Sequence, residues 1–384
     1  MLTPLGAHRF SLVLAASALL GALAAPPAKA AQVQCRAWST TQTQVFPVGS
    51  YFEDTSGTSS TDTWAVGINS NGNVIGHWDG RTWTSVNSND PNTNLYDVAA
   101  VSPTDAWAVG DYGDPHGRFV IARVLHWDGT SWGVYPAPKG SAYAFLYAVS
   151  AESPTDVWAG GAYTDGNGTV HPLALHFDGS KWTQVATADA GQGSEFYAVY
   201  TISPDDAWGV GYEVPQTFEF QPLIEHWDGA AWSVVTAPTI EGDSNFLYDV
   251  SGTGADDVWA AGPLGGIGTP PLTLHWDGAT WSVVPAAFRP NTSYTLLAIK
   301  AIAPDDAWAA GGWATLDLAQ RGAAAEHWDG TAWRITRTPS PGTSSDFYGI
   351  DASSSTDVWA VGYLYDFSFD GHPMAQHSRG PCPG

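Results

Sequence analysis

Cationic side chains are scarce in this chain. Fourteen Lys and Arg face 38 Asp and Glu, for a formal net charge of −24. Nothing on the protein could displace the counterions of a phosphate backbone, so nucleic acid is excluded as a partner. Cysteine is scarcer still: Cys35 and Cys382 stand near opposite ends and suffice for one disulfide at most. After residue 30 no segment approaches 18 uninterrupted apolar residues, which leaves no candidate for a membrane-spanning helix. The 3.6-residue period of an amphipathic helix is absent throughout. Also missing are a phosphate-binding glycine loop, a Gly-x-Ser-x-Gly elbow and a His-Glu-x-x-His pair.

The chain opens with a segment that reads as a secretory signal. His8 and Arg9 precede an apolar run from Phe10 to Ala25, and Ala28-Lys29-Ala30 has the small-x-small form of a cleavage site. The signal is assigned to residues 1–30 and a single domain to residues 31–384. The expected mature protein is secreted, extracellular or periplasmic, and monomeric.

Beyond the signal the dominant feature is repetition. An Asp-x-Trp step recurs at Trp64, Trp107, Trp158, Trp208, Trp259, Trp308 and Trp359, 43 to 51 residues apart. A second anchor, His-(Trp/Phe)-Asp-Gly-x-x-Trp, starts at His77, His126, His176, His226, His275 and His327, and His377 begins a seventh before the chain ends. Within one copy, Leu95–Val101 is rich in strand formers and is ended by Ser102-Pro-Thr-Asp105, where Pro suits a tight turn. Ala106–Gly110 and Arg123–Trp127 make the second and third strands, Asp128-Gly129 reads as a two-residue hairpin, and Ser131–Tyr135 makes the fourth. Four antiparallel strands in each of seven copies predict an all-β fold, a seven-bladed β-propeller.

The last copy lacks a fourth strand at the C-terminus, while Arg36-Ala-Trp38-Ser-Thr aligns with Arg81-Thr-Trp83-Thr-Ser. The N-terminal segment is therefore expected to supply the outermost strand of blade seven and close the ring. That register puts Cys35 and Cys382 at the two cut ends of one hairpin, where a disulfide would replace the missing Asp-Gly turn. In the chain-entropy model, closing so long a loop contributes up to ~5 kcal/mol.

These blades, with Asp-x-Trp-Ala-Val-Gly and His-Trp-Asp-Gly-x-x-Trp, resemble the Trp-rich propeller repeats of many exported bacterial proteins, a group similar in style to kelch repeats and to the Asp-box repeats of sialidases. The resemblance spans residues 33 to 382. It implies a fold more than a function, because such propellers serve as enzymes, lectins and binding platforms. A sialidase-like site would need three arginines converging on a carboxylate, whereas Arg118, Arg289 and Arg321 are scattered. A copper site like that of galactose oxidase would need a Tyr to Cys crosslink, for which no cysteine is left.

Of the 20 tryptophans only Trp313 lies outside the repeat, so the others read as packing between twisted sheets rather than as a ligand platform. The seven repeated histidines are spread one per blade and cannot converge on one ion; a hydrogen bond from each to a nearby turn is the expectation. The many turn aspartates read as turn chemistry on one face of the disc.

Function is expected where the copies differ, on the opposite face. Its candidates for ligand binding are Tyr112, Asp114 and His116; Tyr163, Asp165 and His171; Tyr212; Trp313; and Tyr363, Asp366 and His372. Aromatic rings beside carboxylates, amides and imidazoles suit a pyranose, which stacks its C–H face and offers its hydroxyls, although rings that only cap a blade edge would look the same in sequence. A second group, Glu53, Asp54, Asp97 and Asp249, falls on innermost strands where other blades carry Ala or Gly at the Asp position. Solvated channel groups are the plain reading; a Ca²⁺ ion or a general acid/base pair is the functional one. No motif requires a cofactor. The expected activity is recognition of carbohydrate or a cell-surface glycan, with no catalytic residues assigned. The alternatives are a glycan hydrolase or lyase using the channel carboxylates, and a protein-interaction scaffold.

Overall fold

The computed structural model describes residues 38–379 except 115, 117, 139–142, 189–192, 215–219, 241–244, 265–267 and 369. Twenty-eight strands pair into seven four-stranded antiparallel sheets. The innermost strands of blades 1 to 7 are Tyr51–Ser59, Thr93–Ser102, Ala144–Ser153, Ser194–Ser203, Asp249–Gly254, Thr292–Ala303 and Ser344–Ser354. Each copy runs from the innermost strand outward, as the alternation of the repeat predicts.

Blade 7 is completed from the other end of the chain. Trp38–Thr40 pairs with Gly371–Arg379, with Trp38 opposite Ser378 and Thr40 opposite Gln376. The register matches that of Trp83 opposite Trp78 in blade 1, so the N-terminal strand closes the ring as expected. Cys35 and Cys382 lie outside the described residues, as does the segment read as a signal.

Tryptophan fills each wedge between blades. Trp64 of blade 1 meets Trp127 and Trp132 of blade 2 at centroid distances of 4.9 and 5.2 Å. Trp107 meets Phe177 and Trp182 in blade 3, Trp158 meets Trp227 and Trp232 in blade 4, and Trp208 meets Trp276 and Trp281 in blade 5. Trp259 meets Trp328 and Trp333, Trp308 meets Trp38, and Trp359 returns to Trp78 and Trp83. At least one ring at each boundary is edge-on, and both are at Trp359, the geometry in which the positive rim of one π-system faces the negative face of the other.

The repeated histidine lies over the same tryptophan, with centroids 3.9 to 4.7 Å apart. Its Nε2 pairs with the turn aspartate of its own blade, at 2.6 Å for His77 with Asp62 and 2.9 Å for His226 with Asp206. All seven blades repeat the pair. The hairpin before the fourth strand is wider than the two residues expected. Trp127 pairs with Trp132, and the Asp128 carboxylate accepts the Thr130 and Ser131 N–H groups that the longer loop leaves open. An aspartate side chain that mimics a backbone turn allows the extra residues.

One irregularity recurs on the innermost strands. Register skips a residue between Phe52 and Asp54, Leu95 and Asp97, Leu146 and Ala148, Phe196 and Ala198, Leu296 and Ala298, and Phe347 and Gly349. Each skip is a β-bulge, which turns an extra side chain out of the alternation. The glycine of the Ala-Val-Gly step makes it possible: a Cβ on Gly110 would lie 1.9 Å from the Asn94 carbonyl oxygen, and the equivalent glycines of the other six blades are as tightly placed. The bulged residues are Glu53, Tyr96, Tyr147, Tyr197, Leu297 and Tyr348. Tyr248 takes the same place in blade 5, donating its N–H to the Ala261 carbonyl at 2.8 Å.

Candidate functional site

Because the bulge recurs around the ring, those side chains gather at one mouth of the central channel. Tyr96, Tyr147, Tyr197, Tyr248 and Tyr348, with Glu53 and Leu297, surround a cavity of about 340 Å³ whose floor carries Asp54, Asp97 and Asp249. Tyr96 to Tyr147, Tyr147 to Tyr197 and Tyr197 to Tyr248 are 5.8, 5.9 and 5.1 Å apart between ring centres. All five tyrosines are half-buried. None of the cavity's lining residues is Lys, Arg or His.

The floor carboxylates are more than solvated channel groups. Asp97 accepts the Val98 N–H and, across the blade boundary, the Val149 N–H, both at 2.6 Å. Asp249 accepts Val250 at 2.8 Å and, from blade 6, Ile299 at 2.7 Å. Asp54 reaches Val98 of blade 2 at 3.4 Å, and Gly349 leaves it room, since a Cβ there would meet the Asp54 carboxylate at 2.5 Å. Lower in the channel Ser56 accepts from Ala100, Ser150 from Thr201, Ser251 from Ala301 and Asp351 from Gly57. Tyr200 donates to the Gly252 carbonyl at 2.7 Å, and Lys300 meets Asp351 at 2.7 Å. Every blade boundary thus carries a polar link between innermost strands. Except for the Lys300 to Asp351 ion pair, these links satisfy backbone groups that face no partner strand within their own sheet.

Enclosure shapes the charge of the mouth. Burial pushes Glu53 up to about 7 and Asp249 likewise to about 7, the latter against the hydrogen bonds it accepts. Burial first, and then each other's charge, holds Asp54 above the ordinary carboxylate range; Asp97 is raised by burial too. Glu53 differs from the other three in having no hydrogen-bond or ion-pair partner among the described residues.

The loop candidates divide between the mouth and the blade edges. Tyr212 joins the mouth: its ring lies 5.6 Å from Tyr197 and its hydroxyl donates to Glu195. Tyr363 does so too, 5.4 Å from Tyr348 and donating to Asp346 at 2.5 Å; burial and Asp346 push its hydroxyl up to about 12. The others hold their own loops. The Tyr112 ring lies under the Arg123 guanidinium at 4.5 Å. Asp114 grips Arg118 through two hydrogen bonds of 2.8 and 3.0 Å, a pairing that lowers its carboxyl to about 2. His116 is exposed. Tyr163 stacks on His171 at 5.3 Å, and Asp165 accepts the Asn167 and Thr169 N–H groups. Asp366 does the same for Ser368 and Asp370 while His372 lies 3.3 Å away. Trp313 is half-buried on the second strand of blade 6, opposite Tyr294 and Gly322. No group of three or more His, Cys, Asp or Glu among the described residues is arranged to hold a metal ion.

The bulged tyrosines were not among the residues expected from sequence. Their signal is a break of alternation: in Leu95-Tyr96-Asp97-Val98 two residues in succession face the channel between two that are buried. The same break recurs at Glu53-Asp54 and Tyr248-Asp249, whereas Ala148, Ala198, Ala298 and Gly349 are buried at the second position; a period-two strand cannot produce the break without a bulge.

No protein-family model and no curated protein matches the chain. Among solved structures, YCF48 bound to a D1 peptide is similar with a TM-score of 0.54 at 18% identity, covering 89% of this chain and 97% of that one. Hadza microbial sialidase Hz136 is similar at a TM-score of 0.50 and 9% identity, over 86% of this chain and 66% of that one. A fungal lectin from Aleuria aurantia, a six-bladed propeller, aligns at 0.48 and 13% identity over 75% of this chain and 95% of its own. At these identities the likeness is one of fold.

Proposed function

We propose that the protein is a carbohydrate-binding module whose site is the tyrosine-lined channel mouth. The observation that carries this reading is the convergence on one cavity of about 340 Å³ of five phenol rings and a carboxylate, Glu53, without a partner among the described residues, where a sugar can stack on π faces and give its hydroxyl protons to acceptors. Tyr212 and Tyr363 extend the aromatic surface outward. The floor carboxylates are committed to N–H groups of neighbouring blades, which favours a binding role over a catalytic one for Asp97 and Asp249. In a glycan array the chain is expected to retain a subset of glycans. Tyr197→Ala together with Tyr248→Ala is expected to abolish that retention without moving the thermal midpoint by more than a few degrees. An array without hits would sink the reading, and release of reducing ends from a retained glycan would replace it with a hydrolase.

The same proposal places the protein outside the cytoplasm, after loss of residues 1–30, with Cys35 joined to Cys382. The mass of the chain recovered from an exporting host is expected to match residues 31–384 less two hydrogens. Uptake of two thiol reagents by the denatured, non-reduced chain would refute the disulfide.

A further inference from the structure

We infer that the mouth is selective for an organic ammonium group, which on the carbohydrate reading belongs to an amino sugar with a free amine. This inference rests on that reading only for the identity of the carrier. Its basis is the chemistry of the cavity wall. The rings of Tyr96, Tyr147, Tyr197, Tyr248 and Tyr348 line the cavity; the face of each is the negative side of an aromatic quadrupole, and a cation enclosed by such rings is stabilised most when it is desolvated. Tyr96 gives its hydroxyl proton to Asp111 at 2.5 Å, and Tyr147 is hydrogen-bonded to Glu195. Those two phenols therefore face a ligand as acceptors.

Glu53 supplies the counter-charge. It occupies the position that tyrosine fills in five other blades, lines the same cavity, and has no partner among the described residues, whereas Asp54, Asp97 and Asp249 already accept backbone N–H groups. The cation that the channel does contain, Lys300, sits lower down and is held by Asp351. A neutral sugar could use the acceptors of this wall but neither the π faces as a cation does nor the free carboxylate as an ion pair. The acidity of the whole chain, a formal −24, draws cations toward such a mouth.

The test is a calorimetric titration of the full chain with the tetramers of glucosamine, N-acetylglucosamine and glucose, carried across the neutral range because Glu53 gains its charge as pH rises through about 7 while the free amines lose theirs, with tetramethylammonium, which is charged at every pH, as competitor. The glucosamine tetramer is expected to bind about tenfold more tightly than the other two, and tetramethylammonium to displace it. Glu53→Gln, which keeps the shape and removes the charge, is expected to erase that preference while leaving the weaker binding of the neutral tetramers. Equal or tighter binding of the neutral tetramers would overturn the ammonium inference and leave the carbohydrate reading standing. Binding of tetramethylammonium that Glu53→Gln removes, with no tetramer bound, would overturn the carbohydrate reading and leave the ammonium site. Absence of all binding would overturn both.

Discussion

Replacing Trp38 by Ala is expected to lower the unfolding free energy by about 3–5 kcal/mol, although the residue belongs to a three-residue strand near the start of the described chain. Trp38 is 5% exposed, stands edge-on to Trp308 at 5.5 Å and lies 5.9 Å from Phe347. Its indole N–H donates to the Thr336 hydroxyl at 3.2 Å, a contact that spans 298 residues of sequence. Blade 7 is the one sheet whose strands come from both ends of the chain. Loss of Trp38 therefore loosens the ring closure itself, and an unpaired Gly371–Arg379 edge would become open to other chains. Urea denaturation measures the loss, and aggregation at the midpoint should accompany it. A change no larger than that of an exposed residue, within about 0.5 kcal/mol, would mean that the ring holds without its N-terminal strand.

Glu326→Gln is expected to stabilise the protein at pH 8 by about 2–3 kcal/mol and to change little at pH 5. Glu326 is completely buried on the third strand of blade 6. One carboxylate oxygen accepts the Ala287 N–H at 2.9 Å, while the other has no hydrogen-bond partner among the described residues. Burial pushes it up to about 7 from the ordinary 4.5. Between those values the native chain holds a proton that the unfolded chain has released, so the stability the group allows is full below about 4.5 and falls as pH rises through 7. Glu53 and Asp249, raised to about 7, act in the same direction. Opposing them at the acid end are Asp62, Asp257 and Asp357. Burial works to raise each of these, but hydrogen bonds from the paired histidine and a nearby hydroxyl win and lower them, so their contribution is lost as pH falls below the ordinary carboxylate range. Maximum stability is expected at about pH 4–6. The molecule carries its own precedent for the variant: Gln376 fills the equivalent position in blade 7, fully buried, donating to the Pro339 carbonyl at 2.9 Å. Parallel stability curves for Glu326→Gln and the parent from pH 5 to pH 8 would refute the assignment.

The candidate site was partly legible. Asp54, Asp97 and Asp249 stood out because they interrupt positions that other blades fill with small residues, and Glu53 because it stands beside Asp54; all four do meet at the channel. Their bonding to the next blade was not legible, because it joins residues about 50 apart whose approach depends on the wedge angle set by tryptophan packing. Tyr212 and Tyr363 were picked for following the second-strand glycine, and both reach the mouth. Tyr112 and Tyr163 were picked on the same ground, yet Arg123 and His171 hold them at their own loops.

What the amino-acid sequence determined by itself is the frame: seven sheets, their strand order, the exchange that seats Trp38 in the last blade, and a Trp-His-Asp unit in every blade. These follow from repeated residues at short spacing, and short-range packing is what periodicity encodes. What only the tertiary structure decided is the tyrosine-lined mouth. A bulge displaces one side chain by one position, and its signature in a single blade is at most a two-residue break in alternation. It becomes a cavity only when ring closure brings five tyrosines and Glu53 from separate blades to the same axis.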